Sequence, residues 1–522
     1  MFGRKTVWTS YLIVFMASSC GMIIELVAGR IMAPYIGVSL YTWTSIIGVV
    51  LAGMSLGNYL GGRIADRSPR HHTLGILFLL CGLASLSILP LIGYVAGGAN
   101  NLQLPLMAKI VFLTAVVFFL PSCLIGTISP MVVKLTLKDL KETGSTVGKI
   151  YAWSTAGSIV GTFATGFVLI SWFGTRMIVA GVSVLLLLMG LVFGKFWKRE
   201  SEEKGHVTTV SSALLIGAFL GFGYYLYTED AYKSPFWKES NYFSIKIYDQ
   251  GDYEGGKKVK VLALDHLVHS FVALDDPTHL QYSYEKVYAD IVEYLSQTRP
   301  SMNALFIGGG GYTFPRYMEH IYPTSNLEVI EIDPDVTRAA YEELGLPRDT
   351  RIVTHNMDGR MFFDDSSPKG YYDIILGDAF NDLSVPYHLT TLEFSQDLKE
   401  TLKPDGFYLV NIIDNPTKGA FIRPYINTLK QVFPHVTIAA IGKGWQSSAQ
   451  NTLIVVASNT PLDPEHFTET LANLRGGTEP STMIMPQDEL AHYLSQGTDL
   501  ILTDDYVPVD QLIATLFDER GY

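Results

Sequence analysis

The chain has 522 residues, more than one ordinary domain holds, with mean hydropathy +0.23 and 17% charged residues, where soluble proteins carry about 25%. Its net charge of −12 argues against nucleic acid as a partner, because phosphate binding requires a basic face. The three cysteines, Cys20, Cys81 and Cys123, all precede residue 230 and lack the Cys/His spacing of a metal site, so no metal is expected.

The charge deficit is concentrated before residue 230. Seven stretches there have about the 20 apolar residues that a bilayer-spanning helix needs: roughly 8–28, 40–61, 73–97, 106–131, 151–172, 176–197 and 207–227. The first has no small-residue cleavage pattern and is followed by further spans, so it reads as a span and not as a cleaved signal peptide. Gly53, Gly57 and Gly61 share one helical face and predict close packing of two backbones. Gly157/Gly161 and Gly217/Gly221 have the same spacing, which the abundance of glycine in membrane helices explains equally well. Glu25 lies inside the first span, either as a ligand or proton site or as an interhelical hydrogen-bonding group.

Basic residues set the orientation. Arg4, Lys5, Arg63, Arg67, Arg70, Lys134, Lys138, Lys141, Lys149, Lys195, Lys198, Arg199 and Lys204 fall in one set of loops. The alternate loops hold only Arg30, Lys109 and Arg176. A multi-pass plasma (inner) membrane protein with a cytoplasmic N-terminus follows. Seven spans would place the C-terminal half outside the cytoplasm.

Residues 228–240 read as a linker, and 241–275 as a small antiparallel sheet of short alternating runs. From Tyr284 the pattern becomes helix, strand, helix, strand. Strands are expected at 303–307, 327–333, 351–355, 372–376, 407–413, 435–441 and 452–458. The fold class is therefore an α-helical membrane bundle plus an α/β Rossmann-like domain, preceded by the small β-sheet. The expected domains are 1–230, 231–283 and 284–522.

In such sheets ligands bind where the strands end and strand order reverses. The first strand ends in Gly308-Gly309-Gly310-Gly311, the second carries Glu331 and Asp333, the third is followed by Asp358-Gly359, and the fourth by Asp378. Glycine permits close backbone approach and positive φ. An acid about 20 residues beyond the loop accepts from ribose hydroxyls. Asp358 is placed to accept from the exocyclic amine of a base, and Asp378 to face a cationic sulfonium or amine. Singly, each has a plain alternative: a tight turn, or a helix cap at Asp333-Pro334. Together, Gly308, Gly310, Glu331, Asp333, Asp358 and Gly359 predict a nucleoside site.

IGGGG (307–311), VIEIDPDV (329–336), NMDGRMFF (356–363) and YYDIILGDAF (371–380), in this order, resemble spermidine synthases over roughly 237–460. ELVAGRIMAPYIG (25–37), GGRIADR (61–67) and LTDDYVPV (502–509) resemble membrane-fused spermidine synthase-like proteins. The resemblance implies an aminopropyltransferase with decarboxylated S-adenosylmethionine, or S-adenosylmethionine itself, as co-substrate and no tightly bound cofactor. A small-molecule amine or polyamine would be the acceptor, and the bilayer is the other partner. Dimerisation through 241–275 is implied by resemblance alone. By position, Glu331 would hold the ribose, Asp358 the adenine amino group, and Asp378 would lie beside the reacting groups.

The departures fall in the acceptor half. Gly311 stands where the family's glycine loop has an aspartate. Asn381 stands at the base position and cannot take a proton, which leaves Asp382 as a substitute if the loop shifts. The family's Tyr-Gln pair is Tyr242-Phe243, its Leu-Asp-Gly-x-x-Gln pattern reads Leu264-Asp265-His266-Leu267-Val268-His269, and its Tyr-His-Glu triplet reads Tyr284-Glu285-Lys286. Tyr242, Asp265, His269 and Tyr284 are the candidate acceptor-binding residues, Asp378 and Asp382 the candidate catalytic ones, and Lys286 in a diamine pocket would repel a dication. A methyltransferase-like enzyme, or a transporter or sensor that binds without turnover, are the alternatives. S-adenosyl compounds are made in the cytosol, which sets cofactor supply against span parity on the side of the domain.

Overall fold

A computed structural model describes residues 4–37, 39–99, 105–137, 143–194, 236–253, 257–265, 267–365, 367–380, 385–417, 419–442 and 451–513. The chain divides into two compact units, the first containing residues 1–233 and the segment Lys238–Asn241, the second 242–520.

In the first unit, four helical runs among the described residues are long and apolar enough to cross a bilayer: Trp8–Ile36, Leu40–Arg67, Met107–Thr136 and Thr143–Gly194. The pair His71–Leu86 and Ile88–Ala96, bent by 41°, makes a fifth. The 52-residue run Thr143–Gly194 is broken at Gly174 (φ 69°, ψ 162°), a conformation open to glycine, so the expected fifth and sixth spans share one run. The described residues thus give four to five candidate spans in place of seven, and the expected seventh, 207–227, lies outside them.

Helix α1 (Arg4–Ile36) packs on α7 (Thr143–Ala164), and α2 (Leu40–Arg67) on α5 (Leu106–Gly126). A Cβ on Gly57 would lie 2.0 Å from the Cys123 carbonyl oxygen, and one on Gly61 2.6 Å from Thr127 Cα, so the glycine face is a close helix contact. Gly157 and Gly161 are equally committed: a Cβ there would meet the Phe15 oxygen at 2.1 Å and the Ser19 oxygen at 2.6 Å. Ser19 Oγ donates to the Gly157 carbonyl (2.6 Å) across the same contact.

Polar contacts sort the helix ends. Thr136 Oγ1 donates to Ser10 Oγ (2.8 Å), Lys134 Nζ pairs with Asp66 (2.8 Å), and His72 Nδ1 meets the Gly194 carbonyl (2.8 Å). These groups flank the lysine- and arginine-rich loops. In a separate set of contacts Arg30 donates to the carbonyls of Ser240 (2.6 Å) and Asn241 (2.8 Å). The Glu239 carboxylate accepts from the backbone and hydroxyl of Thr175, satisfying first-turn donors of the helical arm that starts there.

The second unit opens with an antiparallel meander, β1 (Ser244–Tyr253), β2 (Lys257–Leu264) and β3 (Leu267–Ala273). Helix α9 (Ser283–Ser296) follows. Its residues Tyr284, Val287, Tyr288, Ile291, Val292 and Leu295 recur at 3.6-residue spacing and are all buried.

The main sheet contains β4 (Asn303–Ile307), β5 (Asn326–Ile330), β6 (Val353–His355), β7 (Tyr372–Gly377), β8 (Leu402–Asp414), β9 (His435–Ile441), β10 (Asn451–Ser458) and β11 (Thr482–Ile484), in the order β11-β9-β10-β8-β7-β4-β5-β6. Strands β4 to β8 pair in parallel, and β8-β10-β9-β11 are antiparallel. Strand order reverses between β4 and β7, so the loops after Ile307 and Gly377 diverge there and open a crevice. Helices α10 (Thr313–Ile321), α11 (Pro334–Glu343) and α12 (Gly359–Asp365) follow β4, β5 and β6.

Candidate functional site

At the crevice the backbones of the two diverging loops nearly touch. Gly308 (φ 103°) carries no Cβ, and one would lie 2.4 Å from the Asp378 carbonyl oxygen. Gly310 also has positive φ (48°). The glycine loop is held by Glu331, whose Oε2 accepts from the N–H groups of Gly309 (2.9 Å) and Gly310 (3.1 Å) and whose Oε1 accepts from Asp333 N–H (2.9 Å). Burial raises the Glu331 carboxyl above its ordinary range, and those three N–H groups oppose the rise. Oε2 has both lone pairs engaged by the two glycines, and Oε1 keeps a second lone pair for a ligand hydroxyl.

One pocket gathers Gly308, Gly310, His269, Tyr284 and Asp378, which come from four separate stretches of the sequence analysis. Asp378 accepts from the Tyr284 hydroxyl (2.9 Å) and from Asn411 Nδ2 (2.8 Å). Burial raises its pKa above the ordinary carboxylate range, and Asn411, Tyr284 and the nearby His269 pull it back.

Glu285 and Thr313 also line this pocket and were not picked out by sequence. Glu285 is buried at the N-terminus of α9 and accepts from Tyr282 N–H (3.2 Å), and desolvation pushes it up to about 8. Lys286, expected in the pocket, is instead exposed. With Tyr284 and Glu285 facing inward, the next helical position turns about 100° further and reaches solvent. The repulsion expected of Lys286 is replaced by a carboxylic acid.

Asp358 lies at the start of α12. Its Oδ1 accepts from Arg360 N–H (2.8 Å), and its Oδ2 meets His388 Nε2 (3.1 Å). Gly359 beside it leaves room for Ile307 Cγ2, 3.2 Å from where a Cβ would stand. Arg360 in turn bonds Asp504 (3.0 Å), which ties LTDDYVPV to this corner. His388 is 30 residues from Asp358, and no spacing rule pointed to it.

Other expected residues have structural partners. Asp333, 1% exposed, is the N-cap of α11 and accepts from Asp335 N–H. Asp265 (φ 56°) closes the β2–β3 turn and accepts from Ser244 N–H (3.0 Å). Tyr242 is 48% exposed. None of these three is among the pocket-lining residues. Asn381 and Asp382 lie outside the described residues.

Residues 2–246 match the family model of the Major Facilitator Superfamily, and 285–443 that of the spermine/spermidine synthase domain. A probable polyamine aminopropyl transferase of Bifidobacterium longum is 32% identical over 25% of this chain and 29% of its own length. Polyamine aminopropyltransferase 2 of Aquifex aeolicus is 22% identical over 87% of this chain and 89% of its own. An eEF1A lysine and N-terminal methyltransferase of Xenopus laevis is 29% identical over 25% of this chain and 20% of its own. The first three curated relatives are matched over 29%, 46% and 54% of their lengths, so the chain spans about half of them or less. The resemblance to membrane-fused spermidine synthase-like proteins thus holds in both halves: a region matching the Major Facilitator Superfamily precedes a spermine/spermidine synthase domain.

Proposed function

We propose that the C-terminal domain binds an adenosyl ligand, decarboxylated S-adenosylmethionine or S-adenosylmethionine, and acts as an aminopropyltransferase-like enzyme on an amine. The observation that carries this reading is the glycine loop held open by Glu331 above a pocket containing Asp378 and Tyr284. Glu331 would take a ribose hydroxyl and Asp358 the adenine amino group. Asp378, fixed by Tyr284 and Asn411, would face the sulfonium and the incoming amine, whose transfer reaction needs alignment above all. The amine must lose a proton to attack, and Asp382 is the proposed acceptor of that proton. Asp358→Ala is expected to weaken calorimetric binding of methylthioadenosine at least tenfold, the scale of one charge-assisted hydrogen bond of about 1.5–3 kcal/mol. Unchanged affinity would remove Asp358 from the site.

A second reading, binding without turnover, is favoured by one observation. Lys238–Asn241, from which the chain enters the domain, contact Arg30 and Thr175, both of the arginine-poor set, while Ser10, Asp66 and Lys134 flank the basic set. We therefore place the domain on the outer face, away from cytosolic S-adenosyl synthesis. The cysteines at 20, 81 and 123 are buried, which makes a Glu469→Cys variant, at an exposed position, a clean reporter. A membrane-impermeant maleimide is expected to label it in intact cells. Labelling only after permeabilisation would overturn the outer placement and restore the transferase reading in full.

A further inference from the structure

The pocket is polar at two chemically opposite places. One carries acid: Asp378 at the end of β7 and Glu285 on α9. The other is the start of α10, a nine-residue helix whose N-cap, Tyr312, sits at φ 55° and offers no side-chain cap. The first N–H groups of a helix have no partner within it and concentrate positive potential. Thr313, the first residue of that helix, lines the pocket, is 7% exposed, and its hydroxyl has no hydrogen-bond partner. A buried hydroxyl of this kind costs free energy unless something else satisfies it.

The loop beside it is also closed to an acid. A Cβ on Gly311 would lie 2.6 Å from Ser270 Cβ and 2.8 Å from Val272 Cγ2, so no aspartate side chain fits where the resemblance expects one. The start of α10 is left with donors and without a carboxylate in the loop.

We propose that this pocket takes the amino-acid end of an S-adenosylmethionine-type ligand, with its carboxylate at the α10 N-terminus and the Thr313 hydroxyl and its ammonium at Asp378. This rests on the adenosyl reading and narrows it: the ligand keeps the carboxylate that decarboxylated S-adenosylmethionine has lost. An uncapped helix start suits an anion, and the Asp378 carboxyl suits a cation. A zwitterion satisfies both.

The test is calorimetry on the purified full-length chain in detergent with S-adenosylmethionine and its decarboxylated form, which differ only in the carboxylate. S-adenosylmethionine is expected to bind about tenfold tighter or more, the scale of one charge-assisted hydrogen bond. Thr313→Val should erase most of that preference by weakening S-adenosylmethionine alone, and Thr313→Ser should keep it. An unchanged melting temperature of Thr313→Val excludes misfolding as the cause. Equal or tighter binding of the decarboxylated compound overturns this inference and leaves the adenosyl reading standing, as does a Thr313→Val loss shared by both compounds. Failure of both to bind the intact chain overturns the adenosyl reading itself.

Discussion

Replacing Glu331 by Ala is expected to abolish binding of methylthioadenosine and to destabilise the domain by about 2–4 kcal/mol, because three N–H groups lose their acceptor at once. Glu331 is 6% exposed, so water does not replace the carboxylate freely. Two of the bereft donors belong to Gly309 and Gly310, in the loop whose positive-φ glycines shape the crevice. Loop order and ligand affinity should therefore fall together. Glu331→Gln keeps one acceptor oxygen and should retain most of the stability while losing affinity, since an amide N–H₂ then faces backbone donors. Calorimetry and thermal melts separate the two effects, and a Glu331→Ala protein that binds like the parent would remove this residue from any ligand role.

In the first unit the largest effect is expected at Gly57. An alanine there would set its methyl 2.0 Å from a backbone oxygen of α5, which no side-chain rotation relieves. The helices must separate along a contact that also contains Gly53 and Gly61, and overpacking of this kind costs about 1–3 kcal/mol or more. Gly48→Ala is the control, as nothing lies within 4 Å of its Cβ direction. Gly57→Ala should lower the detergent melting temperature by several degrees, as about 1–3 kcal/mol does for a domain of this size, while Gly48→Ala leaves it unchanged. Equal melting of the two variants would mean that the α2–α5 contact is looser than its geometry.

Much of this was readable from local pattern. The helical period from Tyr284 to Leu295 and the alternation of strands with helices depend on neighbours in sequence, and the strand-end acids Glu331, Asp358 and Asp378 follow from topology. What escaped depended on distant partners. Gly157 meets Phe15, and His388 meets Asp358, through tertiary packing that no spacing encodes. The three-residue strand Thr482–Ile484 is too short to show a period. Glu285 and Thr313 looked like ordinary first-turn helix residues, and only the crevice wall gives them a second face. Lys286 was misplaced because a motif aligned residue for residue ignores which way each helical position points.

The filled space beside Gly311 has an evolutionary consequence. Ser270 and Val272 occupy the volume that any side chain at that position would enter, so an acidic loop cannot be regained by one substitution. Ser270 would have to shrink first, and it also accepts the Gly311 N–H (2.9 Å), so the intermediate loses a bond before it gains a charge. Positions 270 and 311 are thus epistatic, and single-site scanning at 311 would register an intolerance of volume that is easily mistaken for an intolerance of charge.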